Sequence, residues 1–441
     1  MEISKLLFPL GLALGLVMTP AATAGAADLT PVGAERAGNA EGSIPAWDGG
    51  LHPGRLPRPH TPGDRPRDPF PDEKPLFVIT RANYREYAAK LSEGHLRLFE
   101  RYDSYAMPVY ATHRSAAFPE AIYRATAANH GRARLEGSDG LSGAELGFPF
   151  PQPTQGAEVI WNHKLRYRTD GVVRWNNEAI VQPDGRYTLN RRLERAKFVY
   201  ASLTHKPEDA ALLGYYQAKI LEPSRKAGPV VLVHDTLNPL QHPRRAWLYN
   251  PGQRRTHRAP QYGYDDPAPG TDGLAFVDQI DMFNGPLDRY DWALVGKREL
   301  YIPYNAYRLS DDRLKYADIL KAQHVNPAHT RYELHRVWVV EATVRAGASH
   351  AFAKRRFYVD EDSWAIVLVD LYDSRGEYWR FQEGHPVTYY HVPTVTTIPE
   401  VVHDLPSGKY LVTAMNNEDK PYQPAPKLTA EEFSAGLINL F

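Results

Sequence analysis

The chain carries 17 histidines and 52 acidic residues but no cysteine. Thiolate nucleophiles, Cys-ligated zinc and iron–sulfur clusters are therefore excluded. The histidines form no His-x-x-x-His pair enclosing a glutamate, so no zincin helix is expected. His234-Asp235 and His403-Asp404 are adjacent pairs, but neighbours on a strand point to opposite faces and make poor joint ligands. Acidic clusters at Asp265-Asp266, Asp278/Asp281, Asp288/Asp291, Asp311-Asp312 and Asp360/Asp362 fit no Asp-x-Asp-x-Asp-Gly calcium loop and are read as turn and cap chemistry. No metal and no cofactor are expected.

The nucleophile elbow Gly-x-Ser-x-Gly, the phosphate loop and the dinucleotide fingerprint are all missing from the sequence. Glu333 and Glu341 share one strand face, but eight residues at ~3.4 Å each put them about 27 Å apart, too far for a glycosidase pair. Arg254-Arg255-Thr256-His257-Arg258 is a dense basic run. Arg254, Arg255 and Arg258 are the candidates for contact with an anionic headgroup or a protein partner. The remaining signal is aromatic and aliphatic density on alternating segments. Trp161, Trp175, Trp247, Tyr249, Trp338, Val340, Trp364 and Tyr372 are the candidates for lining an apolar cavity.

These residues need elements to hold them. Tyr84, Tyr87, Ala88, Leu91, His95, Leu98 and Phe99 recur at spacings of three and four, predicting a helix over 80–104. A second helix is expected from Pro119 to Arg134. Beyond it the period becomes two. Val159–Tyr167 reads as a strand, followed by the Asp170-Gly171 turn and Val172–Trp175. Val230–Val233 is a buried strand, and 244–250 with 254–258 forms a hairpin. From 332 to 382, strands at 332–344, 352–359, 364–372 and 377–382 alternate with short turns, predicting an antiparallel meander. Asp373-Ser374-Arg375-Gly376 suits a type I turn with a bulge.

The N-terminus gives an address. Lys5 precedes an apolar run from Leu6 to Met18 and the small residues Ala21–Ala27. This predicts a secretory signal peptide over 1–26, cleaved near Ala24 or Ala26. The run is too short to span a bilayer, which needs ~20 residues, and no later segment approaches it, so the mature chain should lack a transmembrane span. Ten prolines between 31 and 75 predict an extended strap over 27–75, with Trp47 as its anchor, ahead of one domain over 76–441 with a helical insert near 80–134. The formal charge is +0 over 441 residues, which argues against nucleic acid.

Long stretches carry a resemblance. They include Gly38–Trp47, Arg254–Tyr262, Asp281–Trp292, Tyr301–Leu309 and Arg331–Ala342. On these the chain resembles a Gram-negative periplasmic family of unknown function, described as outer-membrane lipoprotein-sorting-like and placed in the LolA/LolB-like superfamily. The wider likeness uses Trp247-x-Tyr249-x-Pro251 and the hairpins around Arg356–Asp360 and Tyr372–Gly376. The resemblance implies a β-rich α+β fold, a curved antiparallel sheet forming an unclosed β-barrel with covering helices. It implies a non-catalytic periplasmic carrier for a lipid or other hydrophobic small molecule, beside an outer-membrane protein and an RND-type inner-membrane transporter. The alternatives are a structural adaptor in such a complex and, third, an envelope hydrolase.

Overall fold

The computed structural model describes residues 28–56, 60–61, 63–204, 211–223, 227–259, 264–424 and 427–441. The expected signal peptide, with Ala24 and Ala26, lies outside the described residues. Along the first half run β1 (Phe77–Thr80), α1 (Glu93–Arg101), β2 (Ala106–Val109), α2 (Glu120–Asn129), β3 (Arg134–Glu136), β4 (Gly140–Ser142) and α3 (Gly156–Leu165). Then come β5 (Gly171–Trp175), β6 (Asn177–Val181), β7 (Tyr187–Phe198), β8 (Leu212–Glu222), β9 (Val230–Thr236), β10 (Arg245–Asn250) and β11 (Arg255–Arg258). The second half holds β12 (Tyr290–Pro303), α4 (Tyr316–Ile319), β13 (Tyr332–Val344), β14 (Lys354–Asp360), β15 (Ile366–Tyr372), β16 (Tyr378–Thr388), β17 (Val395–Asp404), β18 (Tyr410–Met415) and β19 (Gln423–Pro424).

One antiparallel path runs β12-β13-β14-β15-β16-β17-β18-β6-β7-β8-β9-β10-β11. β5 branches from β7 and carries β19. β2 touches β13 in parallel at Val109 and Tyr332 and pairs with β1. Among the described residues the terminal strands β11 and β12 do not pair, so the curved sheet stays unclosed. The expected meander is present from β13 to β16, and the expected hairpin is β10–β11.

The central strands are buried on both faces; every residue of β15 and β17 is buried. Register assigns the faces. Phe381 and Glu383 of β16 sit opposite Asp370 and Leu368 of β15 and His403 and Val401 of β17. That face is covered by α1, whose Gly94 N–H donates to Asp370 at 2.8 Å. Arg380 and Gln382, with Val402 and Asp404, look the other way. The segment 264–285 and α3 cover that second face.

Three sequence expectations need correction. The single helix over 80–104 is β1, a short 3₁₀ segment at Tyr84–Lys90, and α1. The Asn83 carboxamide accepts the Thr80 N–H at 2.7 Å, a local bond that competes with helix, and Ser92 caps α1 afresh. The strand expected at Val159–Tyr167 is α3. Gln155 and Glu158 form a capping box, and Val159, Ile160, Trp161, Asn162, His163 and Leu165 are all buried. A helix buried on every side loses the period that would distinguish it from a strand. Trp364 lies in the turn before β15, in the left-handed region at φ +56°.

The strap follows the sheet without joining it. Its anchors are Val32, Ala34, Ile44 and Leu51, all buried against the core. Trp47 is half-buried under the Arg36 guanidinium, 5.1 Å from its ring, so Ile44 does the anchoring expected of it.

Candidate functional site

Beneath the segment 264–285 lies a cavity of about 130 Å³. Its floor is set by strand register. Val172, Ala196 and Tyr216 align across β5, β7 and β8, and Arg174 pairs with Glu194 one step along. Phe198 and Leu213 extend the apolar floor, and Ile280 and Phe283 close it from above. A second cavity of about 80 Å³ shares Arg174, Glu194, Ile280 and Asp281 and continues toward Gln382, Glu400 and Val402. Ile280 and Asp281 therefore stand at the partition of one bipartite space.

The walls are charged, and each charge is held. The Arg174 Nε donates to Glu194 at 2.9 Å, and Tyr216 Oη donates to its other oxygen at 2.5 Å. Arg244 forks onto Asp235 at 2.5 and 2.9 Å and lies over the Tyr264 ring. Arg166 and Arg168 both donate to Asp281. Burial pushes the Asp281 carboxyl up, but these two guanidinium groups outweigh it and hold it below the usual range. Lys164 Nζ donates to the Gly285 carbonyl at 2.8 Å and sits 4.5 Å from the Trp161 ring centre. Burial lowers this ammonium from its ordinary value.

Two neighbours are tuned away from charge. His163 bridges α3 to the roof through the Asp281 carbonyl at 2.8 Å and accepts the Ile366 N–H at 3.0 Å. Burial, then the Arg166 charge, holds it at about 3, so the imidazole stays neutral. Glu400 accepts the Met282 N–H at 3.2 Å. Burial, then the Asp281 carboxylate, pushes it up to about 8. Asp281 and Met282 both have left-handed φ, +57° and +64°. A methionine there costs energy, so the contacts on either side are what fix this corner.

None of the eight expected cavity residues is among those lining this space. Trp161, Val340 and Trp364 are packed in the largest core, and Trp338 stacks on Trp364 at 6.1 Å. Trp364 Nε1 donates to the Val32 carbonyl at 3.0 Å. Tyr372 donates to Glu93 at 2.6 Å on the α1 face. Trp247 and Tyr249 pack beneath the C-terminal Phe433 and Ile438, and Trp175 lies under Arg191. Sequence reasoning weighed aromatic size, whereas packing, not size, decides which interior is hollow. Arg254, Arg255 and Arg258 are exposed at β11, an edge strand among the described residues. The missed residues left one signal, the charged–apolar alternation of Arg166-Tyr167-Arg168 and Arg192-Leu193-Glu194, which reads as a solvated face until 264–285 covers it.

Fold and site together define a β-rich protein whose unclosed sheet carries a roofed, mixed polar and apolar cavity. The chain belongs to the family described as protein of unknown function (DUF1329), whose model matches residues 78–438. It is 46% identical over 434 residues to the uncharacterized protein PA3922 of Pseudomonas aeruginosa, covering 95% of this chain and 94% of that one. Two solved structures share less. A DUF1329 family protein from Desulfovibrio piger is 15% identical, over 61% of this chain and 91% of that one, with a TM-score of 0.42. The LolA superfamily protein NE2245 from Nitrosomonas europaea is 12% identical, over 64% and 98%, with a TM-score of 0.38. Among the described residues no helix is long and apolar enough to cross a membrane.

Proposed function

We propose that this protein is a periplasmic carrier that binds a lipid-like molecule beneath the 264–285 roof, without catalysis, and is exported by its N-terminal signal peptide. The observation that supports the reading is the bipartite cavity. An apolar strip of Val172, Ala196, Phe198, Leu213, Ile280 and Phe283 faces a rim of arginines. Such a surface suits an amphiphile, with its apolar part on the strip and its polar head among the guanidinium groups. The larger compartment is similar in volume to a ~150 Å³ cavity that takes benzene. It holds a ring or a short chain; a longer chain needs the second compartment and a shift of Ile280. Six buried methylenes contribute about 5 kcal/mol before ordering costs.

Native mass spectrometry of the full chain, gently purified from the envelope, tests the reading with Ala196→Trp as the blocked form. Ala196 lies on the floor and the indole fills it. Wild type should carry or take up a fatty-acid or lysolipid probe, and the variant should weaken that by about tenfold or more, equivalent to ~1.4 kcal/mol. Equal uptake by the two proteins, or none by wild type, refutes the carrier.

A second reading rests on one observation, the exposed arginines of the β11 edge. They offer a contact surface for an adaptor working beside an outer-membrane protein or an RND-type transporter.

A further inference from the structure

On the face away from the cavity, beside the strap, lies a buried charged cluster that the carrier reading does not use. His335 comes from β13, Asp360 from the end of β14, and Asp362 from the turn that follows. All three are buried, and a donor atom from each lies within 4.8 Å of the other two.

We propose that His335, Asp360 and Asp362 bind a divalent transition-metal ion of the zinc or manganese class. Three features support the site. First, one oxygen is left over. Asp360 Oδ2 accepts from Ser363 N at 3.0 Å, Ser363 Oγ at 2.5 Å and Tyr304 Oη at 3.2 Å, while Oδ1 is buried with no donor at all. That oxygen faces His335 Nδ1 at 3.9 Å. This is too long for a hydrogen bond, but one ion at ~2.1 Å from each atom spans it.

Second, the outer contacts are those a ligating histidine needs. The other ring nitrogen of His335 is 3.2 Å from Glu333 Oε2. Glu333 is itself fixed by Arg331 at 2.7 Å, Asn305 at 3.0 Å and the His113 N–H at 2.7 Å. A carboxylate behind an imidazole sets its tautomer and turns the far nitrogen toward a metal. Asp362 is oriented by a two-pronged bond from Arg114, at 2.8 and 2.6 Å.

Third, carboxylates outnumber the permanent cations around the site. The side chains of Glu333, Asp360, Glu361 and Asp362 are each 2% exposed or less. Glu35, Glu73 and Glu299 join them through shared cations. Seven carboxylates thus share four permanent cations, Arg114, Lys297, Arg331 and Arg336. An imidazole with two carboxylates selects zinc, manganese or iron over calcium, which prefers oxygen alone.

The test is cobalt(II) titration of the full chain after chelator treatment, read by visible absorption, thermal midpoint and elemental analysis. Wild type should bind one equivalent with a visible band and a raised midpoint. His335→Gln should weaken binding by about tenfold or more, in line with loss of one ligand or its support. His257→Gln, at an exposed position on β11, should bind as wild type does. Should His335→Gln fail to fold, Asp360→Asn takes its place with the same expectation. Absence of cobalt binding by wild type overturns the site, since the gap then holds only a proton. Equal binding by wild type and the His335 or Asp360 variant overturns it as well, because the ion sits elsewhere.

Discussion

Replacing Glu400 with glutamine removes the one carboxyl in the cavity wall that burial and Asp281 push up to about 8, from an ordinary 4.5. The sign follows from proton counting. Between those values the unfolded chain has lost the proton and the folded chain keeps it. The folded state therefore binds more protons, and stability falls as pH rises, by up to ~1.36 kcal/mol per unit, until it levels above about pH 8. A gap of about 3.5 units gives at most ~5 kcal/mol. The Asp281 side chain is 19% exposed, and the solvent reaching it damps the repulsion, leaving about 2–3 kcal/mol. Glutamine cannot ionise, yet its carbonyl still accepts the Met282 N–H.

The assay is urea denaturation of wild type and Glu400→Gln at a series of pH values between about 5 and about 9. The two proteins should be close in stability near pH 5. They should then diverge, with the variant ahead by about 2–3 kcal/mol at pH 8 and above. A constant difference across the range refutes the reasoning, because Glu400 would then titrate alike in both states.

Two further substitutions test the other surfaces. A methyl group added at Gly94 would meet Phe381 Cδ2 at 2.0 Å, so Gly94→Ala should push α1 off the sheet and cost about 1–3 kcal/mol by denaturation midpoint; unchanged stability would mean that α1 does not rest on β16 as described. Changing Arg254, Arg255 and Arg258 to glutamate should leave probe binding in the cavity intact while abolishing salt-sensitive capture of an envelope partner, and capture that survives removes β11 as the contact.

Local turn chemistry made the β13–β16 meander legible. Asp373 Oδ1 accepts the Arg375 N–H at 2.9 Å, Gly376 sits at φ +79°, and the β15–β16 register shifts at Tyr372, as the Asp-Ser-Arg-Gly spacing requires. The signals that failed were those that depend on what covers them. α3 buries its polar Asn162 and His163 along with Val159, Ile160 and Trp161, so no solvent-facing polar stripe marks a helical period and Trp161 read as a strand residue. The cavity draws on segments from Lys164 to Tyr422, and no local pattern brings them together. Its arginines alternate as they would beside water. The roof over them reads as an irregular Gly, Pro and Asp stretch. Asp360 and Asp362 read as turn and cap chemistry alone for a related reason. Asp360 does cap its turn, as expected, through Oδ2; only the tertiary fold leaves Oδ1 without a donor and places it opposite His335.

On the carrier reading, how the roof is attached decides where a ligand would enter. At one end Leu274 and Ala275 pack with Ile180, Val402 and Leu411; at the other, Met282 and Phe283 join the main core. Between them Phe276 packs on Phe352, and polar fixings add to these contacts. Arg380 donates to the Gly273 and Leu274 carbonyls at 2.8 and 2.9 Å, Gln382 donates to the Gln279 carbonyl at 3.1 Å, and Arg355 pairs with buried Asp278 at 2.5 Å. Uncovering Asp278 would strand a buried charge at about 3–5 kcal/mol, so that point holds. Ile280 is different: it is 36% exposed, touches both compartments, and is followed by the left-handed pair that Arg166, Arg168 and Glu400 keep in place. Displacing it sacrifices little apolar contact, whereas lifting α1 from the opposite face would open a packed aromatic core. Ionising Glu400 beside Asp281 weakens this same corner. The carrier reading thus requires that probe exchange quicken as pH rises toward 8, and that Glu400→Gln abolish the acceleration.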